Sequence, residues 1–209
     1  MTPDEFVQHY RNGRASAILR TDTESTAAPA MDAAVRGGFR IIEFTMTIPG
    51  VLDRLREYGS RDDVIVGAGT VMSEKDAHGA VEAGAKFLVS PVVDEKVIEA
   101  AAHLGVAVMP GAHTPTEMMR AHDAGAQLVK LFPAPGTGPT YVKSILGPLP
   151  FLKIVPTNGV HLNNAAAFLK AGSWAVGFTT ALFDPNGMSQ QNWDAIEQRA
   201  RKLLDALAS

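Results

Sequence analysis

Five times along the chain, an alanine-rich stretch with helical spacing ends at a glycine and a short apolar run follows at once. The junctions are Gly38 before 39–44, Gly84 before 85–90, Gly105 before 106–110, Gly125 before 126–130 and Gly172 before 173–178. A glycine there closes the last helical turn in the left-handed conformation at little steric cost. The runs have strand length and no clean alternation, the pattern of parallel strands buried on both faces. Three further runs, 15–20, 64–67 and 151–155, bring the strands to eight. They are spaced roughly twenty residues apart, with room for a helix after each.

Helix starts are signalled as well. Thr2-Pro3-Asp4-Glu5, Thr21-Asp22-Thr23-Glu24 and Thr114-Pro115-Thr116-Glu117 have the capping-box form, two of them with proline at the first helical position. Pro29 falls in the first crossover helix, which it either kinks or starts. From Ser189 onward, Trp193, Ile196, Ala200, Leu203 and Leu207 share one face of a closing helix. Eight βα units without a low-complexity linker predict an α/β fold, a (β/α)8 TIM barrel with an extra N-terminal helix, as a single domain over 1–209. A doubly wound open sheet is the competing arrangement.

Composition narrows the function classes. A net charge of -3 with scattered Lys and Arg gives no basic face for nucleic acid and no polybasic membrane patch. The absence of cysteine removes disulfides, thiolate metal sites and cysteine nucleophiles. The first residues have neither the basic nor the apolar region of a secretory signal, and no uncharged apolar run is long enough to span a membrane, so a cytoplasmic soluble protein is expected.

Barrel enzymes work at the carboxyl ends of their strands. The polar residues there are Arg20, Glu43 with Thr45 and Thr47, Thr70, Ser90, His113, Lys130, Thr157 with Asn158, and Thr179 with Thr180. Of these, Glu43 in Ile41-Ile42-Glu43-Phe44 and Lys130 in Leu128-Val129-Lys130-Leu131 stand in apolar surroundings. Desolvation there lowers an amine pKa and raises a carboxyl pKa, giving a nucleophile and a general acid/base near neutral pH. A structural ion pair across the barrel mouth is the alternative. Val66-Gly67-Ala68-Gly69-Thr70 lacks the third glycine of a nucleotide fingerprint; it reads as a strand end where a ligand approaches the backbone, or as a tight turn. The six histidines share no ligand spacing, and Met109, Met118 and Met119 read as packing.

Taken in order, Ile42-Glu43-Phe44-Thr45, Val66-Gly67-Ala68-Gly69-Thr70-Val71, Val89-Ser90-Pro91, Met109-Pro110-Gly111, Lys130-Leu131-Phe132-Pro133 and Pro156-Thr157-Asn158-Gly159 resemble the 2-keto-3-deoxy-6-phosphogluconate and 4-hydroxy-2-oxoglutarate aldolases. The resemblance covers nearly the whole chain. It implies a class I aldolase that needs no metal and no cofactor, takes a small-molecule 2-keto acid and assembles as a homotrimer. It implies that Lys130 forms the Schiff base, that Glu43 is the general acid/base, and that Thr70, Pro91 and Phe132 line the pyruvate pocket. The substrate carboxylate falls to Arg20, since Thr47 stands where one branch of the family has an arginine. Thr157, Asn158, Gly159 and Thr180 are expected at the far end of the substrate. Asn158 and Thr179 depart from the family's glycines there, so that end takes a phosphate or an unphosphorylated group. A sugar-phosphate isomerase or epimerase and a non-catalytic keto-acid binder are the remaining alternatives.

Overall fold

The computed structural model of the protein describes residues 1–208; Ser209, the last residue of the expected domain, lies outside them. Nine strand segments, β1 (Ala15–Leu19), β2 (Ile41–Thr45), β3 (Ile65–Gly69), β4 (Phe87–Val89), β5 (Ala107–Met109), β6 (Gly111–Ala112), β7 (Val129–Leu131), β8 (Ile154–Pro156) and β9 (Val176–Phe178), alternate with helices along the described residues. All their pairings are parallel, in the orders β5-β4-β3-β2-β1-β9 and β6-β7-β8. β5 and β6 are one strand interrupted at Pro110, which has no N–H to give to a ladder. The sheet curls: beyond β8, the Trp174 N–H donates to the Ile154 carbonyl at 2.8 Å, and Thr157 bridges to Gly177.

Successive strand residues alternate between two apolar clusters. Ala17, Leu19, Ile42, Phe44, Val66, Ala68, Val129 and Leu131 pack outward, against the helices. Ile41, Phe87, Val89, Ala107, Met109 and Val155 fill the inside of the curl. Both faces are apolar, which is why the sequence shows no polar alternation. Helix α1 (Pro3–Gly13) adds Phe6, Val7 and Tyr10 to the inner cluster, with Phe6 stacked on Phe87 at 4.3 Å and the Tyr10 hydroxyl 2.7 Å from Ser16 Oγ. The amino-terminal side of the curl is thereby packed shut. Glu43 and Lys130 follow the apolar residues Ile41 and Leu128 of that cluster, one inward position nearer the carboxyl ends.

The five glycine junctions have the expected form. At each, the glycine takes a positive φ, its N–H reaches back three residues, and the next N–H reaches back five, as in Gly84 to Val81 and Ala85 to Ala80. The pairs at Thr2/Glu5 and Thr114/Glu117 are capping boxes. The expected box at Thr21 is not. Helix α2 (Glu24–Arg36) has Thr23 at its N-cap without a side-chain bond, while the Thr21 hydroxyl accepts from the Thr23 N–H at 3.1 Å and folds its own turn. Pro29 does not start α2; it lies inside the helix. Strands begin later than the apolar runs, because the first residues after each glycine complete the helix cap before pairing starts. Phe151, expected in the seventh strand run, is an exposed turn residue resting on the His122 ring. The closing helix also starts later than Ser189. Asp184 caps a short helix, Pro185–Ser189, and the closing helix itself runs Trp193–Ala208.

Candidate active site

Glu43 points into the curl from the middle of β2 and is wholly buried. Among the described residues, neither of its carboxylate oxygens has a hydrogen-bond partner. Burial pushes its pKa above the usual carboxylate range, against the opposing pull of Lys130 and, more weakly, Arg20. Lys130, at the centre of β7, is 6% exposed. Burial holds its pKa below that of an ordinary lysine; the Glu43 charge opposes the shift and Arg20 adds to it. The two groups sense each other's charge, yet no hydrogen bond joins them among the described residues. This is not the arrangement of a structural ion pair, in which each charge would be satisfied by the other. It is an amine and a carboxyl each displaced toward its neutral form, which suits attack on a carbonyl and proton exchange.

Other sequence-predicted residues gather around this pair. Lys130 Nζ lies 4.9 Å from the centre of the Phe132 ring. Arg20 Nη2 donates to Thr70 Oγ1 at 2.9 Å, with Thr70 held at φ 59°, so the guanidinium is oriented at the mouth where its charge reaches both Glu43 and Lys130. Pro91 is tied to the site through Gly111, the register partner of Lys130: a Cβ on Gly111 would stand 2.3 Å from the Pro91 carbonyl oxygen. Thr157 points inward, wholly buried, with an unpartnered hydroxyl beside Gly177.

The remaining residues are less tightly joined. Thr47 is exposed and pairs with Thr45 at 2.9 Å. Asn158 and Gly159 are exposed, both at positive φ, and the Asn158 carbonyl accepts from the Ala134 N–H at 2.8 Å, linking this turn to the one after Lys130. Thr180 is exposed in the turn after β9. His113 is half-buried on the rim, its Nδ1 3.1 Å from the Pro133 carbonyl and its own carbonyl accepting from the Tyr141 hydroxyl at 2.6 Å.

The glycines of Val66-Gly67-Ala68-Gly69-Thr70 have a reason that neither sequence reading contained. A Cβ at Gly67 would meet the Phe87 ring at 2.4 Å, and one at Gly69 would meet Glu43 Oε1 at 1.8 Å. These positions are small to admit the protein's own side chains. Inward-facing glycines in a strand, where they weaken the strand, were the available signal. No group of three or more His, Asp or Glu side chains able to hold a metal ion occurs among the described residues. A surface cleft of about 940 Å³, lined by Glu95, Glu99, Met119 and Arg120 among others, lies between the helices Glu95–His103 and Pro115–Asp123, away from the site. Its Glu95 and Arg120 are exposed and paired with each other at 2.7 Å, so the cleft offers no desolvated group for chemistry. None of the described helices is long and apolar enough to cross a membrane.

Comparison with known proteins gives the same direction. Residues 7–199 match the family model described as KDPG and KHG aldolase. A 2-dehydro-3-deoxy-phosphogluconate aldolase of Pseudomonas aeruginosa is 30% identical over 200 residues, covering 95% of this chain and 91% of the relative. A 2-dehydro-3-deoxy-6-phosphogalactonate aldolase of Escherichia coli K12 is 32% identical over 175 residues, covering 80% and 83%. Among solved structures, native KDPGal superposes with a TM-score of 0.83 at 29% identity, covering 93% of this chain and 94% of that one.

Proposed function

The chain belongs to the KDPG and KHG aldolase family and is an aldolase, a lyase; on that premise we propose that Lys130 and Glu43 cleave a 2-keto-3-deoxy sugar acid 6-phosphate, or 4-hydroxy-2-oxoglutarate, to pyruvate and an aldehyde. One observation carries the assignment of residues: a buried lysine and a buried carboxyl face into the same mouth, each shifted toward neutrality and neither satisfied by the other. Storing two buried ionisable groups, the carboxyl without a partner, costs stability and makes sense where they react.

The Lys130 amine attacks the C2 ketone, and loss of water gives a protonated imine. The cation draws in the electrons of the C3–C4 bond, which breaks to an enamine as Glu43 takes the C4 hydroxyl proton and the aldehyde departs. Glu43 then returns a proton to C3, and water releases pyruvate from the imine. Arg20 holds the C1 carboxylate, oriented by its bond to Thr70, so that one ketone face meets Lys130. Phe132 and Pro91 wall the pyruvate end, with Thr47 at its rim. Thr157, Asn158, Gly159 and Thr180 receive the far end, at the exposed turn where Asn158 and Gly159 both have positive φ.

The fold proposed with this chemistry is a (β/α)8 barrel forming one domain over 1–209, with α1 as the extra helix ahead of it. The bond from Trp174 to Ile154 and the Thr157–Gly177 bridge support closure of the curl. A homotrimer and a cytoplasmic setting belong to the same proposal and rest on family membership alone.

The test is pyruvate release, followed with a coupled dehydrogenase, across 2-keto-3-deoxy acids with and without a 6-phosphate and 4-hydroxy-2-oxoglutarate. The wild type is expected to release pyruvate from at least one, and Lys130→Met from none. Release by Lys130→Met at the wild-type rate would remove Lys130 from the chemistry.

A further inference from the structure

Glu43 presents a positional problem. A group that must both take and give a proton near neutrality cannot be anchored by several N–H donors, because donors to a carboxylate favour the ionised form. Consistent with this, both oxygens of Glu43 are unbonded. Its geometry must therefore come from contact.

The contact is with β3. A Cβ placed on Gly69 would lie 1.8 Å from Glu43 Oε1, 2.6 Å from Cδ and 3.0 Å from Cγ, so the outer half of the side chain rests where any other residue would project. One inward position deeper, at Gly67, the space is taken by the Phe87 ring, at 2.4 Å from the equivalent point. The carboxyl is therefore stopped from sinking toward the amino-terminal side and lies across the Gly69 α-carbon. Backbone conformation does not explain the glycines. Neither is among the positive-φ residues, and both sit in regular parallel pairing, Gly67 opposite Glu43 and Gly69 opposite Thr45. A glycine in a strand interior costs stability, and here it leaves the space that Glu43 occupies.

We propose that Gly69 is a positioning residue for the cleavage reaction, its bare α-carbon forming the shelf that sets where the Glu43 carboxyl stands relative to the Lys130 imine. Gly69 touches neither substrate nor imine; it acts through Glu43. The inference rests on the reading of Glu43 as the general acid/base and goes one step past it.

A double-mutant cycle in the full chain separates the two. Gly69→Ala is expected to lower kcat for pyruvate release on the order of 10²-fold, within the range that general acid/base catalysis supplies. The borohydride-trapped pyruvate adduct on Lys130 should still form, since imine formation does not need the carboxyl in that one place, and the pH profile of kcat/KM should shift. In a Glu43→Ala background, where the clashing atoms are gone, adding Gly69→Ala should change the residual rate by less than about twofold, the mark of two residues acting as one unit. A Gly69→Ala single variant that fails to fold beside a double variant that folds would put the clash on Glu43 and supports the shelf. An equal penalty in both backgrounds, or a Gly69→Ala enzyme at the wild-type rate, overturns the inference while leaving Glu43 in the mechanism. Full cleavage by Glu43→Ala alone removes the premise itself.

Discussion

At the residue scale, the site is a pair of desolvated groups whose cost to folding has a definite pH signature. Glu43 has a pKa raised above its ordinary 4.5, so its favourable contribution to stability is present below 4.5 and is lost as pH rises through the raised value. Lys130 has a pKa lowered from 10.5, so its favourable contribution is present above 10.5 and is lost as pH falls through the lowered value. Between those limits both groups weigh against the fold. The Glu43→Gln/Lys130→Met double variant, which leaves no lone buried charge, is therefore expected to melt at a higher temperature than the wild type at neutral pH. The gap should narrow as the pH approaches either end. Thermal melts across pH check this; a double variant less stable than the wild type at pH 7 would mean that the pair supports the fold. Glu43 and Lys130 were legible in the sequence because a charge inside an apolar strand run is conspicuous. Gly69 was not, because its reason is a side chain on the neighbouring strand, and the register that joins them is invisible until the strands are paired.

At the scale of elements, the glycine-closed helix followed by a buried strand is the unit from which the molecule is made, and it was readable because each junction needs a backbone conformation that few residues adopt. Strand starts were misread by one to three residues because the apolar residue after the glycine serves the helix cap first. The Thr21 box failed because a short-range turn, Thr21 to Thr23, competed for the same hydroxyl. The junctions also differ in how much a side chain would disturb them. Gly105, at φ 69° with nothing within 4 Å of the point a Cβ would take, sits in the ordinary left-handed well, so Gly105→Ala should cost about 1 kcal/mol. Gly84, at φ 108° with the Leu55 carbonyl oxygen 3.2 Å from that point, lies outside the well, and Gly84→Ala should cost about 3 kcal/mol. Urea unfolding of both variants measures the difference; equal costs would show that the cap, and not the φ value, governs these turns.

For the whole molecule, parallel pairing brings eight strand ends to one side, so residues far apart in the chain converge without any long-range sequence signal. The order of elements was legible for that reason, and so was the placing of Glu43 and Lys130 within range of each other's charge. The far end of the proposed substrate was not: Asn158, Gly159 and Thr180, proposed to receive it, lie on exposed turns, where a sequence permits several ligands. At the centre of the proposed chemistry, the amine of Lys130, its pKa lowered by burial, forms an imine with a keto acid. Its most direct measurement is borohydride reduction in the presence of pyruvate, followed by peptide mapping by mass spectrometry. A reduced pyruvyl group on Lys130, absent from Lys130→Met and undiminished in Glu43→Gln, is the expected result. An unmodified Lys130 in an enzyme that still releases pyruvate, or an adduct on another lysine, would contradict it.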